Sequence, residues 1–167
     1  MIRRMIQVRW AGNWRALVGL AALMLVVGCD TTGRPVFLRN PDPALQKTAT
    51  QFAADAATRF PYKAGAPRGD AKAAPARAEV HYSPINMIGL VNLSETTDYA
   101  DVEVWVNQQF VVFLPKMEKK TMKELDFKML YDKAGNPLAI TEQMPRVEKV
   151  ELYMGGKMYD VPVQIAD

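Results

Sequence analysis

Histidine, cysteine and serine are scarce in this sequence, and their scarcity limits the chemistry that it can perform. Its 167 residues include one histidine, one cysteine and two serines, which are His81, Cys29, Ser83 and Ser94. A zinc site needs three or four ligands, and a Ser/His/Asp or Cys/His catalytic arrangement would have to use these few residues. The sequence also has no glycine-rich phosphate loop and no dinucleotide fingerprint. We therefore predict no catalytic site, no bound metal and no cofactor.

Basic residues are not in excess either, once the N-terminal leader is set aside. The formal net charge is +3, but the first 28 residues contain no acid and four arginines, Arg3, Arg4, Arg9 and Arg15. The remaining chain has 17 basic and 18 acidic residues, a net charge of −1. Nucleic-acid binding requires a clustered excess of Lys and Arg, so the composition argues against a nucleic-acid partner. With 49% hydrophobic residues, the chain can still bury the core of one domain.

The leader has the pattern of a secretory signal peptide. An arginine-bearing stretch, residues 1–15, precedes twelve uncharged residues, Ala16 to Val27. As a helix these twelve residues rise about 18 Å, which is too short for a bilayer core of about 30 Å but suits the apolar region of a signal peptide. The alternative, an uncleaved membrane anchor with a buried Cys29, is disfavoured by this length.

The leader ends in Val26-Val27-Gly28-Cys29, which resembles the lipobox of bacterial lipoproteins. The resemblance implies that the lipoprotein signal peptidase cleaves between Gly28 and Cys29, and that the Cys29 thiol carries a diacylglyceryl group. Such a protein is exported and anchored by lipid on the periplasmic side of the cell membrane. Asp30 resembles the signal that retains lipoproteins in the inner membrane, which slightly favours that location. The expected partners are the membrane itself and envelope proteins; no small-molecule ligand can be named.

Three segments are expected between the lipidation site and the domain. Residues 29–41 form the lipidated N-terminus. Residues 42–60 predict an amphipathic helix with Asp42 as N-cap and Pro43 at its first position. Its apolar stripe is Leu45, Ala49, Phe52, Ala56 and Phe60. We expect this helix to pack on the domain, although pairing with another helix or lying on the membrane surface are alternatives.

The third segment, residues 61–78, predicts a flexible linker. Twelve of its 18 residues are Ala, Pro or Gly, and it contains no Leu, Ile, Val or Phe. Such a composition cannot bury enough apolar area to offset the entropy of ordering.

Residues 79–167 have the composition of an all-β domain, with short runs of Val, Ile, Tyr and Phe between turn residues. We predict strands over residues 79–82, 88–93, 102–106, 110–114, 122–127, 147–154 and 157–164. Seven short strands favour an antiparallel two-sheet sandwich. The run VNLSETTDYADVEVWVNQQFVVFLP resembles small immunoglobulin-like domains of bacterial lipoproteins. The resemblance implies an immunoglobulin-like fold and brings no known activity with it.

The register of the first predicted hairpin suggests a candidate partner face. If Asn107-Gln108 is a two-residue turn, Trp105 lies opposite Phe110 and outside an all-valine core. Trp105 and Phe110 then form either a partner face or a surface that the helix covers. If this register is wrong, Trp105 lies in the core, and we favour the core because sandwiches commonly bury a tryptophan between their sheets.

A second predicted hairpin, with Gly155-Gly156 as its turn, sets Glu151 opposite Asp160. Like charges in this position repel each other, and we expect a solvated pair relieved by Lys149 and Lys157. The preferred hypothesis for the whole domain is a non-enzymatic interaction or structural module. The alternative is a ligand-binding, cation-binding or carboxylate-based enzymatic accessory domain, for which Glu103, Glu151 and Asp160 would be the candidates.

Overall fold

The computed structural model describes residues 42–139 and 146–166. The predicted signal peptide, Gly28, Cys29, Asp30 and the rest of the lipidated N-terminus lie outside the described residues. Among the helices of the described part, none combines the length and the apolar character that a membrane crossing requires.

The described chain is mostly β-structure, arranged in two four-stranded sheets. The strands are β1 (Ala76–His81), β2 (Met87–Asn92), β3 (Tyr99–Val106), β4 (Phe110–Met117), β5 (Met122–Asp126), β6 (Val150–Met154), β7 (Lys157–Val161) and β8 (Val163–Ala166). One sheet has the order β5-β2-β1-β8 and the other the order β4-β3-β6-β7. Buried side chains from both sheets form one hydrophobic core. The expected two-sheet sandwich is therefore confirmed.

The last predicted strand is two strands in the structure, and the break lies at Pro162. Proline has no N–H to donate to a ladder. Pairing with β6 therefore ends at this residue, and the chain continues as a strand paired with β1 in the other sheet. The carbonyl of Pro162 accepts a hydrogen bond from the backbone N–H of Ala78 at 3.0 Å. β8 then runs parallel to β1. The prediction of a purely antiparallel sandwich is wrong at this pair.

β1 begins three residues earlier than predicted, inside the segment that we expected to be a linker. Ala76, Ala78 and Val80 are buried and alternate with half-buried residues. The alanines, which suggested a linker by composition, are instead small inward-facing residues of a strand with period two.

The predicted helix of residues 42–60 is shorter and has two parts. Asp42 caps a 3₁₀ helix, Pro43–Leu45, and helix α1 (Ala49–Ala57) starts after Thr48. The Thr48 side chain accepts a hydrogen bond from the N–H of Gln51, and the Gln51 side chain accepts one from the N–H of Thr48. Phe52 is buried, and α1 packs against β4. The prediction that the helix packs on the domain is confirmed.

The β3–β4 hairpin has a different register from the predicted one. Its loop has three residues, of which Asn107 and Gln108 have positive φ, and Val106 is paired with Phe110. The shift of one residue moves Phe110 to the opposite face from Trp105, because side chains alternate along a strand. Both side chains are also buried. The predicted partner face formed by Trp105 and Phe110 is therefore wrong.

The β6–β7 hairpin has the predicted register. Gly155 and Gly156 both have positive φ, as a tight turn requires, and Glu151 is paired with Asp160.

Removal of the α1 cap tests the helix boundary. We expect Thr48→Ala to lower the free energy of unfolding by about 1 kcal/mol, because one backbone N–H of the first turn loses its acceptor. Urea denaturation followed by circular dichroism measures the change. Thr96→Ala, which removes an exposed threonine hydroxyl in a loop, is the matched control. An equal effect of the two substitutions would contradict the boundary.

Candidate functional site

The outer face of the β4-β3-β6-β7 sheet is covered by residues 59–69, which we call the strap. Its backbone forms hydrogen bonds with β7 on both sides of Arg68. The N–H of Met158 donates to the carbonyl of Pro67 at 3.0 Å, and the N–H of Gly69 donates to the carbonyl of Met158 at 2.8 Å. A Cβ atom at Gly69 would lie 2.0 Å from Cε1 of Tyr159. Only glycine therefore lets the strap approach β7 this closely.

Trp105 is fully buried between β3 and the strap. The rings of Phe60 and Tyr62 meet it edge to face, each with a centroid distance of 5.2 Å. The Lys63 ammonium lies 5.4 Å from the centre of the Trp105 ring. The burial of Trp105 is thus confirmed, but it lies on the outer face of its sheet and not between the two sheets; the strap that follows α1, rather than α1 itself, supplies the rings that cover it.

Glu151 is a fully buried carboxylate on the same face. It accepts hydrogen bonds from the Tyr62 hydroxyl at 2.7 Å, and it forms ion pairs with Lys149 at 2.9 Å and with Arg68. Burial alone would raise the pKa of the Glu151 carboxyl, but the hydrogen bonds from Arg68, Tyr62 and Lys149 outweigh it and hold the pKa below its ordinary value. Glu151 is therefore charged at neutral pH and neutralised by its neighbours.

Glu103 is the second buried carboxylate under the strap. Its Oε2 lies 2.9 Å from the Lys63 ammonium and accepts a hydrogen bond from Trp105 Nε1 at 3.0 Å. Lys63 also donates to the backbone carbonyl of Arg59. Arg59 in turn places its guanidinium 3.9 Å from the centre of the Phe113 ring, on the same face of the sheet. Lys63 is thus paired with a carboxylate of the sheet, whereas Arg59 contacts the Phe113 ring and its buried Nε has no hydrogen-bond partner.

Asp160 is the exposed member of the predicted like-charge pair. Its carboxylate lies 3.4 Å from Arg68 and 3.7 Å from Lys149. The expectation that Lys149 relieves the pair is confirmed, whereas the expected solvation of Glu151 is wrong because the strap covers it. Arg68, and not the predicted Lys157, is the second cation that neutralises the two carboxylates.

These three carboxylates are arranged as partners of cations rather than as ligands of a metal. The oxygens of Glu103 and Glu151 point at the side chains of Lys63, Arg68 and Lys149. Within residues 42–139 and 146–166, no three His, Cys, Asp or Glu side chains come together in a ligand-like group. A general acid also needs a raised pKa, and that of Glu151 is lowered. The arrangement favours a structural role.

A separate open groove of about 490 Å³ lies at the end of the β1–β2 hairpin. Its lining includes His81, Ser83, Ile85, Arg146 and Ile165. The sequence has few residues of the kind found in catalytic sites, and two of them, His81 and Ser83, are brought together here. No hydrogen bond joins their side chains, and no carboxylate lies among the described lining residues.

The strap residues Tyr62, Lys63 and Arg68 were not among the predicted site residues. The sequence feature that could have indicated them is the aromatic ring of Tyr62 beside Lys63, which is unusual in a spacer without contacts. The surrounding Ala, Pro and Gly dominated the composition and hid it.

Comparisons of the chain with protein-family models, with curated proteins and with solved structures gave no match.

Removal of the strap tests what covers Trp105. Trp10 and Trp14 lie in the leader, so Trp105 is the single tryptophan of any chain that starts at Asp42. A chain starting at Glu79 lacks the 3₁₀ helix, α1, the strap and three residues of β1. We expect its tryptophan emission to be red-shifted and its stability to be lower by several kcal/mol relative to the chain starting at Asp42. Identical emission maxima and urea midpoints would show that the strap does not cover Trp105.

The buried charge of Glu151 predicts a pH-dependent stability. The lowered pKa means that ionised Glu151 stabilises the fold fully above the ordinary pKa near 4.5, and that this contribution is lost as the pH falls below it. At pH 7 we expect Glu151→Gln to cost about 2 kcal/mol, because charged hydrogen bonds are replaced by weaker ones. The cost should be much smaller at pH 3.

Urea denaturation at the two pH values, followed by Trp105 fluorescence, measures this difference. Asp160→Asn is the matched control, since Asp160 pairs with the same two cations but is mostly exposed. Its effect should stay below about 1 kcal/mol at both pH values. A Glu151→Gln effect that is the same at pH 7 and pH 3 would contradict the charged state of Glu151.

Proposed function

We propose that this protein is a membrane-anchored lipoprotein of the bacterial cell envelope, whose folded part is a non-enzymatic interaction or structural module. The observation that carries the proposal is the packing of the chain from Asp42 onwards. The Asp42 carboxylate lies 2.7 Å from the Lys123 ammonium on β5, Leu45 and Phe52 are buried, and the strap follows. In the part of the chain that the structure describes, packing on the domain therefore begins already at Asp42 rather than near Glu79.

This start places the domain close to the lipidation site. Twelve residues, 30–41, separate Cys29 from Asp42. Twelve residues span at most about 40 Å when fully extended. A protein lipidated at Cys29 would hold its sandwich near the bilayer surface, whereas a free linker of residues 61–78 would have let it reach much farther. The module is thus suited to partners that lie at the membrane.

The sheet orders support an immunoglobulin-like fold for the module. Immunoglobulin domains place strands A, B, D and E in one sheet and strands C, F and G in the other; the described residues form no strand corresponding to D. Counting the C′ strand of variable-type domains, β5-β2-β1 corresponds to E-B-A, and β4-β3-β6-β7 corresponds to C′-C-F-G. β8 is an additional strand, and Trp105 packs on the outer face of its sheet rather than between the sheets.

The state of the carboxylates supports a non-enzymatic role. Glu103 and Glu151 are buried and form ion pairs with the strap residues Lys63 and Arg68 and with Lys149, which directly precedes β6. Their interactions hold the strap on the sheet, and a reaction that needed them would first have to break those ion pairs.

Substitution of the lipidation site tests the proposed anchor. The wild-type chain should partition with membranes and incorporate an alkyne fatty acid during metabolic labelling. Cys29→Ala should give no label and should accumulate as uncleaved precursor, because the chain has no other cysteine. Gly28→Ala, which keeps a small residue at the cleavage site, is the matched control and should be processed as the wild type. Equal labelling of wild type and Cys29→Ala would overturn the proposal.

A further inference from the structure

β8 and β5 are the two sheet edges that the described part of the chain leaves unpaired. The edge of β7 is bonded to the strap, and the edge of β4 is bonded to Tyr131, whose N–H and carbonyl pair with Val111 at 3.2 and 3.0 Å. The edge strand β5 carries charged residues, Lys123 and Glu124, which discourage pairing with another strand. β8 is the last strand of its sheet, and none of its four residues is charged.

An uncharged edge strand can accept a further strand. The backbone groups on the outer side of such a strand are free to bond an extended peptide, and neighbouring side-chain sites give the specificity. Ile165 on β8 is 52% exposed, and Ile85 on the β1–β2 hairpin is 56% exposed. Both line the groove of about 490 Å³. The edge therefore lies beside an apolar site for side chains of an added strand.

The charge of the groove is positive. Arg146 is held from two sides, because its carbonyl accepts a hydrogen bond from Asn107 Nδ2 at 2.9 Å and the next residue, Val147, donates its N–H to the Tyr82 hydroxyl at 3.0 Å. The guanidinium lies 6.0 Å from the centre of the Tyr82 ring. No carboxylate of the described residues pairs with it. The backbone at Arg146 is thus held in place, and its exposed guanidinium lies at the groove, where it can donate to a carboxylate.

We propose that the β8 edge and this groove bind an extended, acidic and aliphatic segment of a partner protein. The segment adds a strand beside β8, places an aliphatic side chain against Ile85 and Ile165, and directs a carboxylate at Arg146. A second copy of the chain fits less well, because it would bring a second Arg146 to a groove whose described lining residues include no acid. The proposal rests on the interaction role proposed above but not on the lipid anchor, so the Cys29 experiment and the one below can fail separately.

Peptide binding by the full chain in detergent micelles tests the proposal. The probes are two fluorescein-labelled peptides of seven residues, one alternating valine with glutamate and the other valine with lysine. Fluorescence anisotropy should show binding of the glutamate peptide and roughly ten-fold weaker binding of the lysine peptide. Arg146→Gln should remove this preference, and Ile165→Thr should weaken the binding of the glutamate peptide.

The control is Met122→Thr, which changes a side chain of similar exposure, 47%, on the opposite edge of the same sheet. It should leave binding unchanged. Thermal unfolding of each variant establishes that it is folded. No binding of the glutamate peptide, or equal effects of Ile165→Thr and Met122→Thr, would overturn the proposal. So would self-association of the wild-type chain, seen by light scattering, that Ile165→Thr abolishes, since the occupant would then be a second copy.

Discussion

Two buried carboxylates on one sheet face are the constraint on which the rest of this structure depends. Glu103 and Glu151 alternate with core-facing residues on β3 and β6, so their side chains lie on the face that points away from the other sheet. A carboxylate buried without a partner is strongly unfavourable. The strap supplies Lys63, Arg68 and Tyr62 to meet this requirement. The same segment shields Trp105, so charge neutralisation and apolar burial are achieved together.

The packed strap removes the expected spacer and covers one edge of the sandwich. Between Asp42 and His81 the chain contains no free spacer, because the 3₁₀ helix, α1, the strap and β1 follow one another on the surface of the sandwich. The strap also closes the β7 edge, as Tyr131 closes the β4 edge. Of the two edges left unpaired among the described residues, β5 carries charges and β8 is uncharged, with Arg146 and Ile165 beside it. If the proposed lipid anchor holds the module near a membrane, the β8 edge is suited to recognising an extended segment of a neighbour.

Much of the fold was predictable from local sequence, and the errors have specific causes. The seven predicted strands overlap the observed ones, and the Gly155-Gly156 turn fixed the register of Glu151 opposite Asp160. The division of the last strand was also readable in principle, because Pro162 cannot donate to a ladder. The β3–β4 register was not predictable, because a loop of two or three residues fits the sequence around Asn107 equally well. A shift of one residue moves the side chains of one strand to the opposite face of the sheet relative to its partner.

The sequence by itself determined the alternation that makes strands, the glycine turn, the helix that packs on the domain and the lipobox with its expected anchor. These depend on residues within a few positions of each other. Tertiary structure alone decided that the strap packs on the sheet, that residues 76–78 belong to β1, that Trp105 is covered, and that Glu151 is buried. The hydrogen bond between Tyr62 and Glu151 joins residues 89 positions apart. No local pattern encodes such a contact, because its stability comes from a buried charge that only the folded sheet creates.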